Sequence, residues 1–245
     1  MDEFESRAVL PAEEAFFVDP LQRIMLLREA ASSELLGALK IRKELAHFFG
    51  RSDALFKFYE ELSAEGVSFD DLRQADAYAE FDTHLDILEA LLQGYHSLLK
   101  KHGMTDKVFL PTSYRLNKGF LQNYTKIEIF LEGYLSRYEL TLLAEAATVT
   151  PVILHYQTSR FNQKMQQRFE ELGIALPNDS EVSFDLGAKR ILKAVPATRP
   201  VNAAVIASKE RIEQVSLALE AIEKMVREGI APEHIALVLP DELFK

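Results

Sequence analysis

The chain has 245 residues, of which 48% are hydrophobic and 27% charged, with a formal net charge of −10 and no cysteine. Without thiols it can form no disulfide, thiolate metal site or cysteine nucleophile, and no apolar run is long enough to span a bilayer. The acidic balance argues against a free-standing, non-specific nucleic-acid binder, because neutralising phosphates needs clustered lysine and arginine.

The amino terminus, MDEFESRAVLP, is acidic and lacks the long apolar stretch of a secretory signal, so a cytoplasmic protein with no membrane association is expected. From Asp19 to His102 the pattern is helical. Asp19-Pro20 reads as an N-cap followed by proline at the first helical position, with Ile24, Leu26 and Leu27 at helical spacing. A segment from Ser33 to Phe49 is expected to stop at Gly50. Ser52 or Asp53 would cap the next helix, which carries Leu55, Phe56, Phe58, Tyr59 and Leu62 and ends near Gly66. Ser68 with Asp71 forms a capping box. The longest helix is expected from about Tyr78 to Lys101, with Phe81, Leu85, Leu88, Leu91, Leu92, Tyr95 and Leu98 in one apolar stripe that reads as core. No strand pattern interrupts this half, which reads as a helical bundle or array.

Between Gly103 and Tyr124 the character changes, with Pro111 and the polar string Thr112 to Lys118, so a domain boundary is expected there. Strand patterns then alternate with helical ones. The strands are expected at Lys126–Leu131, Thr150–Tyr156, Val201–Ala207 and Ile235–Pro240, and the helices at Ser136–Ala147, Ser159–Leu172 and Ser208–Arg227. The fold class is therefore α/β, with parallel-sheet units behind a large all-helical amino-terminal half. Residues 174–200 read as a crossing segment with a possible short strand at Val182–Leu186. No strand pattern precedes the helical region, and the last one is followed by only five residues, so a longer parent polypeptide is expected.

The stretch with most chemical content is Lys126 to Glu139, KIEIFLEGYLSRYE. A short apolar strand ends at Glu132-Gly133, and Ser136 with Glu139 then opens a helix through a capping box. This places an acid at the carboxyl end of a buried strand, where ligands of α/β proteins sit and where phosphate-binding motors hold magnesium. The same acid can equally be structural. Gln157, in the polar run His155 to Phe161 after the second strand, would lie beside Glu132 and could sense a phosphate, while Thr158 or Ser159 reads as a helix N-cap. A G-x-x-x-x-G-K-[ST] loop, an H-E-x-x-H pair and a G-x-S-x-G elbow are all missing from the sequence, and the six histidines lack ligand spacing. ATP hydrolysis by this chain alone is not expected. Lys100, Lys101, Lys107, Arg115 and Lys118, with His102 and Lys126 nearby, form either a solvated face or a local DNA-binding surface, interrupted by Asp106 and Glu128.

The succession DPLQRIMLLREA, LFKFYEELSAEGVSFDDL and YAEFDTHLDILEALLQGYHSLLKKHGMTD, then KIEIFLEGYLSRYELTLLAEAATVTPVILHYQ, then ASKERIEQVSLALEAIEKMVREGIAPEHIALVLP, resembles the helicase-like part of the B subunit of AddAB-type helicase–nucleases. That subunit is similar to the RecB family and to UvrD-like motors of helicase superfamily one, and the resemblance covers nearly the whole chain. It implies a helical insertion subdomain over 1–124, a partial first motor-like domain with a crossing segment over 125–200, and the start of a second over 201–245. Glu132 and Gly133 would fall at the family's magnesium-binding acid pair, although Leu131 stands in place of the first acid. Gln157 would fall near the glutamine that couples phosphate to DNA. ATP and magnesium would then belong to the intact parent, an iron–sulfur cluster would lie outside this chain, and the partners would be a second helicase–nuclease subunit and DNA. Two other readings come from the residues alone: an α/β protein with a helical cap that binds or hydrolyses a small phosphorylated ligand at Glu132, and a helical protein-interaction module.

Overall fold

The computed structural model describes residues 1–12, 14–31, 37, 39, 41–42, 44–75, 82–197 and 205–238. It is mixed α/β with small sheets, and the backbone divides into two compact units, Met1–Thr198 and Arg199–Lys245. Among the described residues no helix is long and apolar enough to cross a membrane.

The first unit opens with α1 (Asp2–Ala8), β1 (Val9–Pro11) and β2 (Phe16–Phe17), then α2 (Pro20–Ala30). The Asp19 carboxylate accepts from the amides of Leu21 and Gln22, with Pro20 in the first turn, as the sequence predicts. The next helix, α3 (Leu45–Glu65), runs straight through the expected break at Gly50. Phe48, Leu55, Phe56 and Tyr59 bury one face of it, and that burial outweighs the roughly 1 kcal/mol a helical glycine costs. Ser52, expected as a cap, is instead buried inside the helix and donates to the Phe49 carbonyl at 2.8 Å. Most of the expected segment before Leu45 lies outside the described residues. The helix ends at Gly66, whose φ of 63° is the left-handed conformation that lets Gly66 and Val67 donate back to Ser63 and Leu62.

The Ser68–Asp71 capping box forms and starts α4 (Phe69–Gln74), and α5 (Asp82–Lys101) follows. The expected start of α5 near Tyr78, with Phe81, lies outside the described residues. Leu85, Leu91, Tyr95 and Leu99 are buried with Leu27, Phe48, Phe56 and Tyr59 in one core. Gly94 permits the close crossing of α2 and α5: a Cβ there would stand 3.4 Å from the Cβ of Ala30. Beyond α5 come β3 (Met104–Thr105), a 3₁₀ turn at Lys107–Thr112, β4 (Tyr114–Leu116) and α6 (Lys118–Leu121). The helical half was expected to contain no strands, yet β1 pairs antiparallel with β4, and β2 pairs parallel with β3. These pairs are only two or three residues long and their partners are 88 to 107 positions apart in the chain, so no local pattern announces them.

Asp106 sits where these elements meet. It is 1% exposed and receives Arg23 Nε at 2.6 Å, Arg23 Nη2 at 3.1 Å, the Tyr95 hydroxyl at 2.6 Å and the Val108 amide at 2.9 Å. Arg23 also pairs with Glu60 and lies 3.7 Å over the Phe56 ring, while Lys107 reaches Glu60 at 3.2 Å. Burial, reinforced by Asp106, pushes the Tyr95 phenol well above its usual range and keeps it a donor.

The rest of the unit is β5 (Ile127–Leu131), α7 (Arg137–Ala146), β6 (Val152–Gln157), α8 (Gln163–Glu171), β7 (Ser180–Asp185) and β8 (Arg190–Pro196). The strands form one four-stranded sheet in the order β5-β6-β7-β8. Ile127, Ile129 and Leu131 of β5 and Val152, Leu154 and Tyr156 of β6 face a core shared with Leu140, Leu143, Met165 and Phe169. β5 and β6 are parallel, as the strand-helix-strand pattern predicts, but β6–β7 and β7–β8 are antiparallel. This corrects the expectation of a parallel sheet. Val182 and Phe184 are buried while Glu181 is exposed, a period-two pattern that suits an antiparallel strand with one wet face. The expected crossing segment is thus a hairpin, with Lys189 at φ 50° in its turn. Gly187 admits the carbonyl of Ala147, which would stand 3.0 Å from an added Cβ.

In the second unit α9 (Arg211–Arg227) is described, followed by a 3₁₀ turn at Pro232–His234. The helix expected from Ser208 therefore begins three residues later in the chain, at Arg211. Residues 201–204 and 239–240 of the two expected strands lie outside the described residues, and 205–207 and 235–238 are not strand. A strand exists by its ladder, and neither described segment is paired; Leu237 and Val238 are exposed.

Asp106→Ala is expected to lower the unfolding free energy by about 3–5 kcal/mol, because it leaves the Arg23 guanidinium half-buried beside an empty site. Urea denaturation measures this, and the double change Arg23→Met with Asp106→Leu should recover only part of the loss, because the Tyr95 hydroxyl and the Val108 amide still lack their acceptor.

Candidate functional site

Register sets the geometry at the carboxyl end of the parallel strand pair. Leu131 is opposite Tyr156, so Glu132 and Gln157 follow at the same end of adjacent strands. Glu132 and Gly133 are exposed in the bend after β5, and Gln157 is exposed at the last position of β6. The Gln157 carbonyl accepts from Asn162 Nδ2 at 2.7 Å. The Ser136–Glu139 capping box forms as predicted: Glu139 Oε2 accepts from the Ser136 amide at 2.7 Å, and the Ser136 hydroxyl accepts from the Glu139 amide at 3.2 Å. Thr158 and Ser159 do not cap α8, which has Asn162 at its N-cap position. Thr158 is drawn inward instead, donating to the Pro177 carbonyl at 2.6 Å and accepting from the Ser180 amide at 2.9 Å, while Ser159 closes a turn onto the Phe161 amide at 3.2 Å.

The sequence reading missed the aromatic residues at this end. Tyr134 is 52% exposed with the Arg168 guanidinium 4.3 Å over its ring, and Phe161 is 84% exposed with that of Arg160 at 4.7 Å. Arg168 is fixed by the Leu135 carbonyl at 2.8 Å and by Glu65 at 2.6 Å. An aromatic face with a planar cation on it stacks well on other π-systems. An available signal was the interleaving of Tyr134, Arg160 and Phe161 with polar residues directly after two strands.

The basic residues are in several elements. Lys100 and Lys101 are exposed in the last turn of α5, where they complement the carboxyl end of the helix. Lys107 is paired with Glu60, Arg115 Nε donates to the Pro11 carbonyl at 3.1 Å, and Lys118 is exposed at the start of α6. Lys126 pairs with Glu128 at 2.9 Å.

The face of the sheet turned away from α7 and α8 carries a line of polar groups. Ser183 Oγ is 2.9 Å from His155 Nδ1, and His155 Nε2 is 3.5 Å from Glu128 Oε1 without forming a hydrogen bond. Phe130, 74% exposed, stacks on the His155 ring at 4.3 Å. The order serine, histidine, acid is that of a nucleophilic relay, but β7 is paired on both sides, so its amides are engaged in the ladder and form no oxyanion hole at Ser183. Among the described residues no group of three or more His, Cys, Asp or Glu side chains is placed to hold a metal ion. The chain matches no protein-family model, no curated protein and no solved structure.

The Lys126 ammonium, hydrogen-bonded to Glu128, holds that carboxyl below the usual glutamate range, with His155 contributing less. A depressed folded-state pKa adds stability above the unfolded value and loses it as pH falls through the folded one. Lys126→Met is therefore expected to raise the Glu128 pKa, and carbon-detected NMR titration of the side-chain carboxyl would show it.

Proposed function

We propose that the chain is a helicase-like scaffold segment of an ATP-dependent helicase–nuclease that processes DNA double-strand ends for recombinational repair, and that it contains no complete active site of its own. The reading starts from the resemblance to the B subunit of AddAB-type enzymes. One observation carries it further: the parallel pair β5–β6 brings Glu132 and Gln157 to one end, followed by Tyr134 and Phe161, each under an arginine. Exposed aromatic faces with guanidinium groups suit a single nucleic-acid strand, whose unstacked bases offer π-faces and whose phosphates attract cations. A duplex hides its bases and would gain little. Catalysis would require the phosphate loop, ATP and magnesium of the parent, and the partner helicase–nuclease subunit would act on the same DNA end.

Fluorescence anisotropy with a labelled oligothymidylate tests the reading. Phe161→Ala or Arg160→Ala should weaken single-strand binding about tenfold, the value of one lost stacking contact, and duplex of equal length should bind less tightly. Equal affinity for both, or no effect of either change, would remove the support. Glu132→Gln is expected to leave folding and ATP binding of the isolated chain unaltered. ATP turnover by the wild-type chain that disappears in this variant would refute the scaffold reading.

A further inference from the structure

The four-stranded sheet has two open edges, and they are built differently. β8 is guarded: it has a bulge opposite Ser183 and Phe184, Lys193 in its middle and Pro196 at its end, each of which discourages a further strand. β5, the sequence IEIFL, has no bulge, proline or lysine, and among the described residues it pairs with β6 alone. The Ile127 amide donates to the Pro151 carbonyl, on the β6 side, at 2.9 Å. With the period of two along a strand, Ile129 and Leu131 also direct their backbone groups to β6, and Glu128 and Phe130 turn theirs to the open edge. Both of these residues are exposed, as are residues 123–126 before the strand and 132–134 after it.

The same sequence is complementary to itself when it runs antiparallel about Ile129. Glu128 then faces Phe130 of the other copy, both with outward backbone groups, while Ile127 faces Leu131 and Lys126 faces Glu132. Ile127, Ile129 and Leu131, only half-buried in one copy, join those of the other in a single apolar strip on the inner face. Moving the axis to Glu128 opposes two Glu128 carboxylates, and moving it to Phe130 opposes Glu128 to Glu132, so like charges disfavour both registers. An axis between two residues would match outward backbone groups with inward ones. At Ile129 the two Glu128 carboxylates stand only diagonally, each held by its own Lys126 at 2.9 Å. We propose that β5 is the interface of a two-fold dimer of this chain, pairing antiparallel with β5 of a second copy about Ile129 and joining the two sheets into one. The dimer brings the second copy's Lys126 beside Glu132, and it does not depend on the DNA reading.

Sedimentation velocity of the full chain over a concentration series should show a reversible species of twice the 27.8 kDa chain mass. Lys126→Glu alone and Glu132→Lys alone should each weaken self-association about tenfold, because each sets like charges opposite at two places. An equimolar mixture of the two variants should recover the dimer, which loss of folding in either would not allow. The register is read by cysteine cross-linking, since the chain has no cysteine of its own. Residues facing each other at the axis lie about 4.5 Å apart between Cα atoms, within disulfide reach. Ile129→Cys should therefore link to itself on oxidation, and Glu128→Cys should link faster to Phe130→Cys than to itself. A monomer at every concentration would overturn the proposal and leave the β5 edge to a strand of another protein. A dimer in which Ile129→Cys does not link, or which the mixed charge variants do not restore, would overturn it in favour of another surface.

Discussion

The helical half of the first unit depends on one buried carboxylate. Asp106 has its oxygens taken by Arg23 of α2, Tyr95 of α5 and the Val108 amide, and Arg23 extends the network to Glu60 of α3. Apolar contacts among these helices are tolerant of sliding and rotation, because burial is non-directional. Directional charge-assisted bonds are not, so the network selects one arrangement from many that would bury similar area. A buried ion pair of this kind contributes little net stability compared with apolar replacements, and its effect lies in what it forbids. The 3₁₀ turn that follows Asp106 leads the chain into β4 and so toward the sheet, which means the network also sets where the α/β part begins.

The sheet is asymmetric in the same unit. Its inner face is continuous apolar surface under α7 and α8, while its outer face carries Glu128, Phe130, His155 and Ser183. A parallel pair needs a covering helix, and α7 supplies it as the crossover between β5 and β6. The two further strands return as a hairpin, which needs no second layer. Polar outward residues on β7 make that economical, since they are solvated where they stand. The carboxyl ends of β5 and β6 are then left uncovered, and that is why Tyr134 and Phe161 are exposed there with arginines as their neighbours.

Much of the local structure was legible because it rests on contacts a few residues apart. The caps at Asp19, Ser68 and Ser136 form as their sequences predict, since the accepting oxygen and donating amide lie within three positions. The apolar stripe of α5 and the strands β5 and β6 were readable from their apolar pattern. Gly50 was misread because a glycine signal is worth about 1 kcal/mol, and the burial of Phe48, Phe56 and Tyr59 in α3 exceeds it. The short strand expected at Val182–Leu186 is present as β7, but its antiparallel pairing with β8 was hidden because the partner of a strand is not specified by the strand itself. Glu132 and Gln157 were placed together by reading β5 and β6 as parallel neighbours. The stacking of Arg168 on Tyr134 was not visible, because it joins a loop to a helix more than thirty positions away.

By itself the sequence determined the caps that start α2, α4 and α7, which faces of the buried helices and of β5 and β6 turn inward, and that cysteine chemistry and an internal phosphate loop are missing from this chain. Tertiary structure alone decided which strands are antiparallel, that Asp106 becomes the common acceptor of three elements, and that Ser183, His155 and Glu128 stand in one row. The difference is physical. Capping and periodicity are short-range energies summed along the chain, whereas strand partners and buried charge networks are chosen by competition among distant segments for the same hydrogen bonds and the same buried volume.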